Sequence, residues 1–223
     1  DEKKDSNLKA SKRTKFYQIS EEIPVEEVES IYNSNDVTIE VTVTDNAGNE
    51  HTEKKELKID ITKPSITVSY DNNDAKNGTY FNSSRTMTIH YKERNIIPDG
   101  DGLTFEFASG DEPCKNFTLK ELKKEISDKS LDIKITKVED SKDRDNIKSD
   151  KEYTDDRTLT YTITFGGNNE NPTDMDYQII PHIEDLAGNK NDGITYVDGT
   201  NASQKFTVDK VQPEMNVSYY LVD

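Results

Sequence analysis

The sequence predicts an all-β chain of antiparallel sandwich modules. Three observations carry this: apolar residues gather into short alternating runs, turn residues separate those runs, and one strand-turn-strand pattern occurs twice. Composition alone would leave the question open, because the 223 residues are 33% charged and only 30% hydrophobic. Leu, Ile, Val and Phe make up about 21% of the chain, near the level at which strongly charged polypeptides stay disordered. Arrangement argues for folding. The runs are rich in Thr, Tyr, Ile and Val, which suit a half-buried pleated surface, so thin cores with wide polar faces are expected.

The first copy of the pattern runs Val37, Ile39, Val41, Val43 and then Asp45-Asn46-Ala47-Gly48-Asn49. The second runs Tyr177, Ile179, Pro181, Ile183 and then Asp185-Leu186-Ala187-Gly188-Asn189, an offset of 140. Alternation places one set of side chains on a core face, and the glycine supplies the positive φ of the turn. A further match follows each turn: Leu57, Ile59, Asp60, Pro64, Val68, Ser69, Tyr70 against Phe206, Val208, Asp209, Pro213, Val217, Ser218, Tyr219, an offset of 149. Proline cannot donate to a sheet ladder, so Pro64 and Pro213 read as module boundaries.

The chain therefore divides into 1–62, the later strands of one module, 63–211, a complete module, and 212–223, the opening strand of a third. Within the middle module, strands are expected near 65–70, 85–92, 103–107, 131–137, 159–165, 176–184 and 204–209. Seven short strands are the count of an immunoglobulin-like antiparallel sandwich. A span of 149 residues exceeds the roughly 100 of a plain sandwich of this type, and the excess is assigned to about 93–157 as an insertion. Thr118 followed by Glu121 forms a capping-box pattern, and Leu119, Leu122 and Ile126 recur at helical spacing, predicting a short helix over 118–127. Residues 139–156 are charged and read as a loop. Pro181 within a strand requires an edge or a bulge.

These residues, together with Ile59-Asp60-Ile61-Thr62-Lys63-Pro64, Ser69-Tyr70-Asp71-Asn72-Asn73, Tyr80-Phe81-Asn82, Arg85-Thr86 and Glu93-Arg94-Asn95, resemble bacterial Ig-like (Big-type) repeats. Such repeats occur in tandem in large surface proteins of Firmicutes. The likeness covers the sandwich strands of both copies and is weakest across 93–157. It implies an extracellular or cell-wall setting, a spacer or adhesive role, and no catalytic residues to carry over. Two departures stand out, Pro181 within a strand and Val211-Gln212-Pro213 at the second boundary.

Charge and chemistry narrow the function classes. A formal net charge of −16 disfavours nucleic acid and anionic membranes, which are bound through clustered Lys and Arg. No apolar stretch is long enough to cross a bilayer, and Asp1 opens a polar segment rather than a signal sequence. Cys114 is the only cysteine, so no internal disulfide can form. His51, His90 and His182 have no ligand spacing, which argues against zinc and against a nucleophile-base pair. With 45 acidic residues, paired carboxylates carry no catalytic signal, and the chain is read as a non-enzyme.

No cofactor is expected, and calcium is the one candidate, since loops of clustered Asp and Asn supply the oxygen atoms it prefers. The candidates are Asp71, Asn73 and Asp74, with Asn72, after the first strand of the middle module, and Asp99 and Asp101 in a glycine-rich turn; boundary loops are favoured over the insertion. The leading functional expectation is a stalk or spacer adjoining further Ig-like modules. The rivals are an adhesin module whose 93–157 segment binds a host surface protein or glycan, and an accessory to a secreted carbohydrate-active enzyme. Pilin-like surface domains also suggest a Lys–Asn crosslink in place of disulfides, though no pair is identifiable.

Overall fold

The computed structural model describes residues 34–97, 102–141, 157–170, 173–197 and 205–219, with the backbone of 3–4 and 15–16. The elements in chain order are β1 Lys3–Lys4, β2 Lys15–Phe16, β3 Ser34–Thr44, β4 Glu50–Ile59, β5 Ser65–Tyr70, β6 Tyr80–Phe81, β7 Arg85–Glu93, β8 Leu103–Ser109 and β9 Lys115–Thr118. They continue with α1 Leu119–Asp128, β10 Ile133–Asp140, β11 Arg157–Phe165, β12 Asp174–Ile183, β13 Thr195–Tyr196 and β14 Lys205–Asp209.

The middle module is a sandwich of two five-stranded sheets, ordered β10-β11-β7-β5-β13 and β6-β14-β12-β8-β9. Lettering β5, β7, β8, β10, β11, β12 and β14 as A to G gives D-E-B-A in one sheet and G-F-C in the other, the strand partition of the immunoglobulin fold. The short β6 and β13 pair in parallel with β14 and β5 and close two of the sheet edges. Alternation in the sequence becomes alternation in burial: β7 buries Arg85, Met87, Ile89, Tyr91 and Glu93, and β8 buries Leu103, Phe105, Phe107 and Ser109. The two inner faces meet in one core that includes Ile66, Val68, Tyr161, Ile163, Phe165, Ile179, Phe206 and Val208.

All seven expected strands are present. The two expected strands within 93–157 take their places in the sandwich, β8 as an interior strand of one sheet and β10 as an outer strand of the other. What is added is β9 and α1; most of the charged 139–156 stretch lies outside the described residues. The helix is not a surface ornament, since Leu119, Leu122 and Ile126 join the same core. Its capping box forms as the spacing requires: Glu121 N donates to Thr118 Oγ1 (3.3 Å), and Thr118 N donates to Glu121 Oε2 (2.8 Å). Thr118→Ala should lower stability by about 1 kcal/mol, read as a reduced urea midpoint at unchanged m-value.

Pro181 pairs with Phe105 of β8; β14 pairs with β12 from Asp174 to Gln178, and the residues that this register would set opposite Pro181 lie outside the described ones.

The two strand-turn-strand copies follow the same local path. In the first turn Ala47 N and Asn49 N donate to Asp45 Oδ1 at 2.8 and 2.9 Å, and Asn49 Nδ2 donates to Asp45 Oδ2 at 2.8 Å. In the second, Ala187 N, Asn189 N and Asn189 Nδ2 make the same three bonds to Asp185, each at 2.8 Å. Gly48 and Gly188 have φ of 85° and 86°, a region open to glycine. The surroundings of the copies differ. Ile183 is 2% exposed in the sandwich, whereas Val43 is 63% exposed. Among the described residues β3 pairs only with β4, and no second sheet lies against them, so the expected core face of β3 is uncovered.

Candidate functional site

The calcium candidates that lie in the described residues do not converge. Asp71 Oδ1 accepts from Thr86 N (2.6 Å), Asn73 Oδ1 accepts from Arg85 (3.3 Å), and Asp74 is paired with Lys76 at 2.5 Å. The loop is wrapped around a cation already. The Arg85 guanidinium is 2% exposed, donates through Nε to Asn72 O (2.9 Å), and lies 3.8, 4.2 and 4.8 Å from the ring centres of Tyr70, Phe81 and Phe206. Its oxygen atoms thus serve a buried guanidinium, whose charge would repel a calcium ion placed beside it. Burial pushes the Tyr70 hydroxyl up to about 12 and holds the Arg85 guanidinium below its usual value. Asp99 and Asp101 lie outside the described residues.

The histidines are dispersed as the sequence indicated. His51 meets Glu53 along β4, His90 of β7 meets Thr160 of β11, and His182 of β12 meets Glu106 of β8. Cys114 is exposed.

One acidic constellation does assemble, close to Pro64 where the chain passes from β4 to β5. Among the described residues, Asp60, Glu93 and Asp185 are the only group of three or more His, Cys, Asp or Glu whose ligand atoms lie within 4.8 Å of one another. Each arrives on a different element. Asp60 follows the last residue of β4, Glu93 ends β7, and Asp185 opens the turn after β12. Glu93 and Asp185 are 3% and 2% exposed, and the Asp60 side chain is 4% exposed.

A hydrogen-bond frame holds the three in place. Asp60 Oδ1 accepts from Thr62 N (3.0 Å), and Oδ2 accepts from Asn95 Nδ2. Asn189 Nδ2 donates to the Asp60 carbonyl (3.1 Å), and Arg94 donates to the Ile59 carbonyl (3.4 Å) with its guanidinium 3.9 Å from Asp60 Oδ1. Glu93 Oε1 accepts from Asn95 N (3.0 Å), and Leu186 N donates to Asn95 O (2.9 Å), tying the corner after β7 to the turn after β12. At the exposed margin Lys63 pairs with Asp192 at 2.6 Å.

Burial, reinforced by the charges of Asp60 and Asp185, pushes the Glu93 carboxyl above its usual value despite the N–H groups directed at it. Three carboxyl groups converge here, with the Arg94 guanidinium 3.9 Å from the Asp60 carboxylate. Chemically the centre can do two things: clamp the polypeptide that enters the sandwich, and offer carboxylate oxygen to a hard cation. Sequence reasoning quoted Asp60, Glu93-Arg94-Asn95 and Asp185 as repeat residues but did not bring them together. Only the fold joins positions 35 and 129 residues apart.

On the opposite sheet, Tyr80, Glu112, Asp176, Gln178, Lys205 and Thr207 border an open hollow of about 320 Å³. None of the helices among the described residues is long and apolar enough to cross a membrane.

No family model and no curated protein matches the chain. Among solved structures, the collagen-binding domain of Erysipelothrix rhusiopathiae surface protein RspB aligns at 12% identity over 81% of this chain and 58% of that one, with a TM-score of 0.14. That superposition is too poor to bear on fold or function, and the immunoglobulin-like assignment rests on the sheet order itself.

Proposed function

We propose that the chain is a stretch of non-catalytic Ig-like modules of the bacterial Big type, serving as a stalk or spacer in a large surface or secreted protein outside the cell. The observation that carries this reading is the clamped boundary. The polypeptide leaving β4 is held through Asp60 by Asn95, Arg94 and Asn189 before it enters β5. A spacer needs such joints, because modules on free linkers transmit neither position nor force. Asp60→Ala should loosen the joint, and amide hydrogen exchange across residues 61–63 should then run several-fold faster with the sandwich intact. An unchanged rate would remove the joint from the proposal.

Calcium belongs to the same reading, at this boundary rather than at the Asp71 loop. The Asp60, Glu93 and Asp185 carboxyl groups converge, and the Arg94 guanidinium stands 3.9 Å from Asp60. Extracellular modules bind calcium at about 10⁻⁴ to 10⁻³ M, and at tenfold excess over the dissociation constant the folded state gains about 1.4 kcal/mol. Millimolar calcium should therefore raise the melting temperature relative to chelator. Glu93→Gln, which keeps an acceptor for Asn95 N, should remove that increment. Identical melting in calcium and in chelator would eliminate the cation.

The adhesin alternative is favoured by the hollow on the opposite sheet, where Tyr80 is 50% exposed beside Gln178, Asp176 and Lys205. An exposed ring flanked by amide and carboxylate groups suits a glycan or a host surface protein. Loss of glycan-array or host-protein binding on Tyr80→Ala would support it, and binding unaffected by that change would end it. Removal of 93–157 cannot serve as the test, because it takes β8 and β10 out of the sheets.

A further inference from the structure

The boundary at Asp60 has a counterpart at Asp209. Asp60 follows β4 and accepts Thr62 N at 3.0 Å; Asp209 ends β14 and accepts Val211 N at 3.0 Å. Four residues on stand Pro64 and Pro213. Then the two diverge in burial. Ile66, Val68 and Tyr70 are 2%, 0% and 6% exposed in β5, whereas their counterparts Met215, Val217 and Tyr219 are 84%, 58% and 92% exposed. At Asp60 the turn is gripped by Arg94, Asn95 and Asn189; at Asp209 Lys210 ties the turn back to its own sandwich at Gly166, Asn168 and Asn169, while the Asp209 carboxylate accepts only from Val211 N among the described residues. The receiving side shows the same asymmetry. Asn189 Nδ2 bridges Asp185 and the Asp60 carbonyl, while Asn49 Nδ2, in the matching turn, donates to Asp45 alone among the described residues.

We infer that the Asp209 turn and residues 213–219 are the entering half of a second joint. The partner they fit is an Ig-like sandwich presenting the corner seen at the first joint: an Arg-Asn pair ending its second strand, beside an Asp-x-Ala-Gly-Asn turn. Continuity with the assembled joint supports this partner. The entering half repeats in sequence and in hydrogen bonding, and the alternating apolar residues beyond it have the spacing of a first strand lacking its sheet. The Asp209 carboxylate takes the place of Asp60, and Met215, Val217 and Tyr219 take the places of Ile66, Val68 and Tyr70. This rests on the stalk reading proposed above.

The experiment extends the full chain in frame, so that Pro213 leads into a second copy of residues 65–219, and follows amide hydrogen exchange by mass spectrometry. Exchange of 210–216 should slow by about tenfold or more relative to the unextended chain, and Asp209→Ala should restore fast exchange. Asp60→Ala in the same protein reports on the first joint through residues 61–65. If Asp60→Ala frees 61–65 but the extension leaves 210–216 unprotected, the second joint is overturned and the stalk reading stands. If neither substitution changes its segment, the stalk reading falls as well. Protection that grows with concentration in the unextended chain would assign residues 213–219 to another copy and overturn the in-line joint.

Discussion

Replacement of Phe206 by alanine should lower the stability of the sandwich by about 4 kcal/mol, the largest effect of any single truncation considered. Phe206 is 2% exposed, and its ring is the centre of an aromatic cluster. Its centroid lies 5.0 Å from Phe165, 5.9 Å from Tyr177, 6.1 Å from Tyr70 and 6.2 Å from Phe81, with Arg85 stacked 4.8 Å from it. These groups come from both sheets, so the ring bridges the two layers. Truncation removes its transfer free energy, leaves a cavity that four surrounding rings cannot easily fill, and withdraws one face from a buried guanidinium. Urea unfolding should show the loss as a lowered midpoint with little change in slope. A loss below about 1.5 kcal/mol would mean that the cluster repacks and that Phe206 does not hold the layers together.

Asp185→Ala should cost about 2 to 3 kcal/mol, while the sequence-equivalent Asp45→Ala should leave the sandwich midpoint unchanged. Both carboxylates accept the same three hydrogen bonds from Ala, Asn and Asn at matching positions. What differs is water. Asp185 is 2% exposed, so its removal leaves the N–H groups of Ala187 and Asn189 in partly buried surroundings without their charged acceptor. It also releases Asn189, which bridges to the Asp60 carbonyl. Asp45 is exposed, and solvent replaces what its alanine variant loses. Hydrogen bonds to Asn49 and Ala47 hold the Asp45 carboxyl below the ordinary carboxylate range, yet screening by water keeps such a shift from becoming stability of the buried kind. Equal losses in the two variants, measured by urea unfolding in chelator, would show that local turn geometry alone sets the cost.

The same pair of turns shows what local sequence encodes. Asp-x-Ala-Gly-Asn folds to the same bonds and the same glycine φ in two settings, because every partner lies within four residues. Elements were legible for a related reason. The period-two runs that became β5, β7, β11 and β12, and the capping box with apolar residues at helical spacing that became α1, are short-range patterns. Burial was not legible in this way. Val43 and Ile183 occupy equivalent places in the repeat, and whether either is covered depends on a second sheet that its own strand does not specify.

The Asp71 loop and the Asp60 boundary make the corresponding contrast for the candidate site. Clustered Asp and Asn in a loop marked an oxygen-rich turn correctly, but the oxygen atoms went to Arg85 and Thr86, residues more than ten positions away. No loop composition marked Asp60, Glu93 and Asp185 as one centre, since each stands beside ordinary turn or strand residues.

By itself, then, the sequence determined the seven main strands of the sandwich, the helix and its cap, and the two turns, all of which follow from side-chain periodicity and hydrogen bonds over a few residues. Tertiary structure alone decided which carboxylates meet, which apolar faces are covered, and that the helix of 93–157 packs its apolar residues into the sandwich core. The physical reason is range. Local conformation is settled between near neighbours, whereas a buried centre exists only once strands distant in the chain pair, exclude water and bring their charges within a few ångströms.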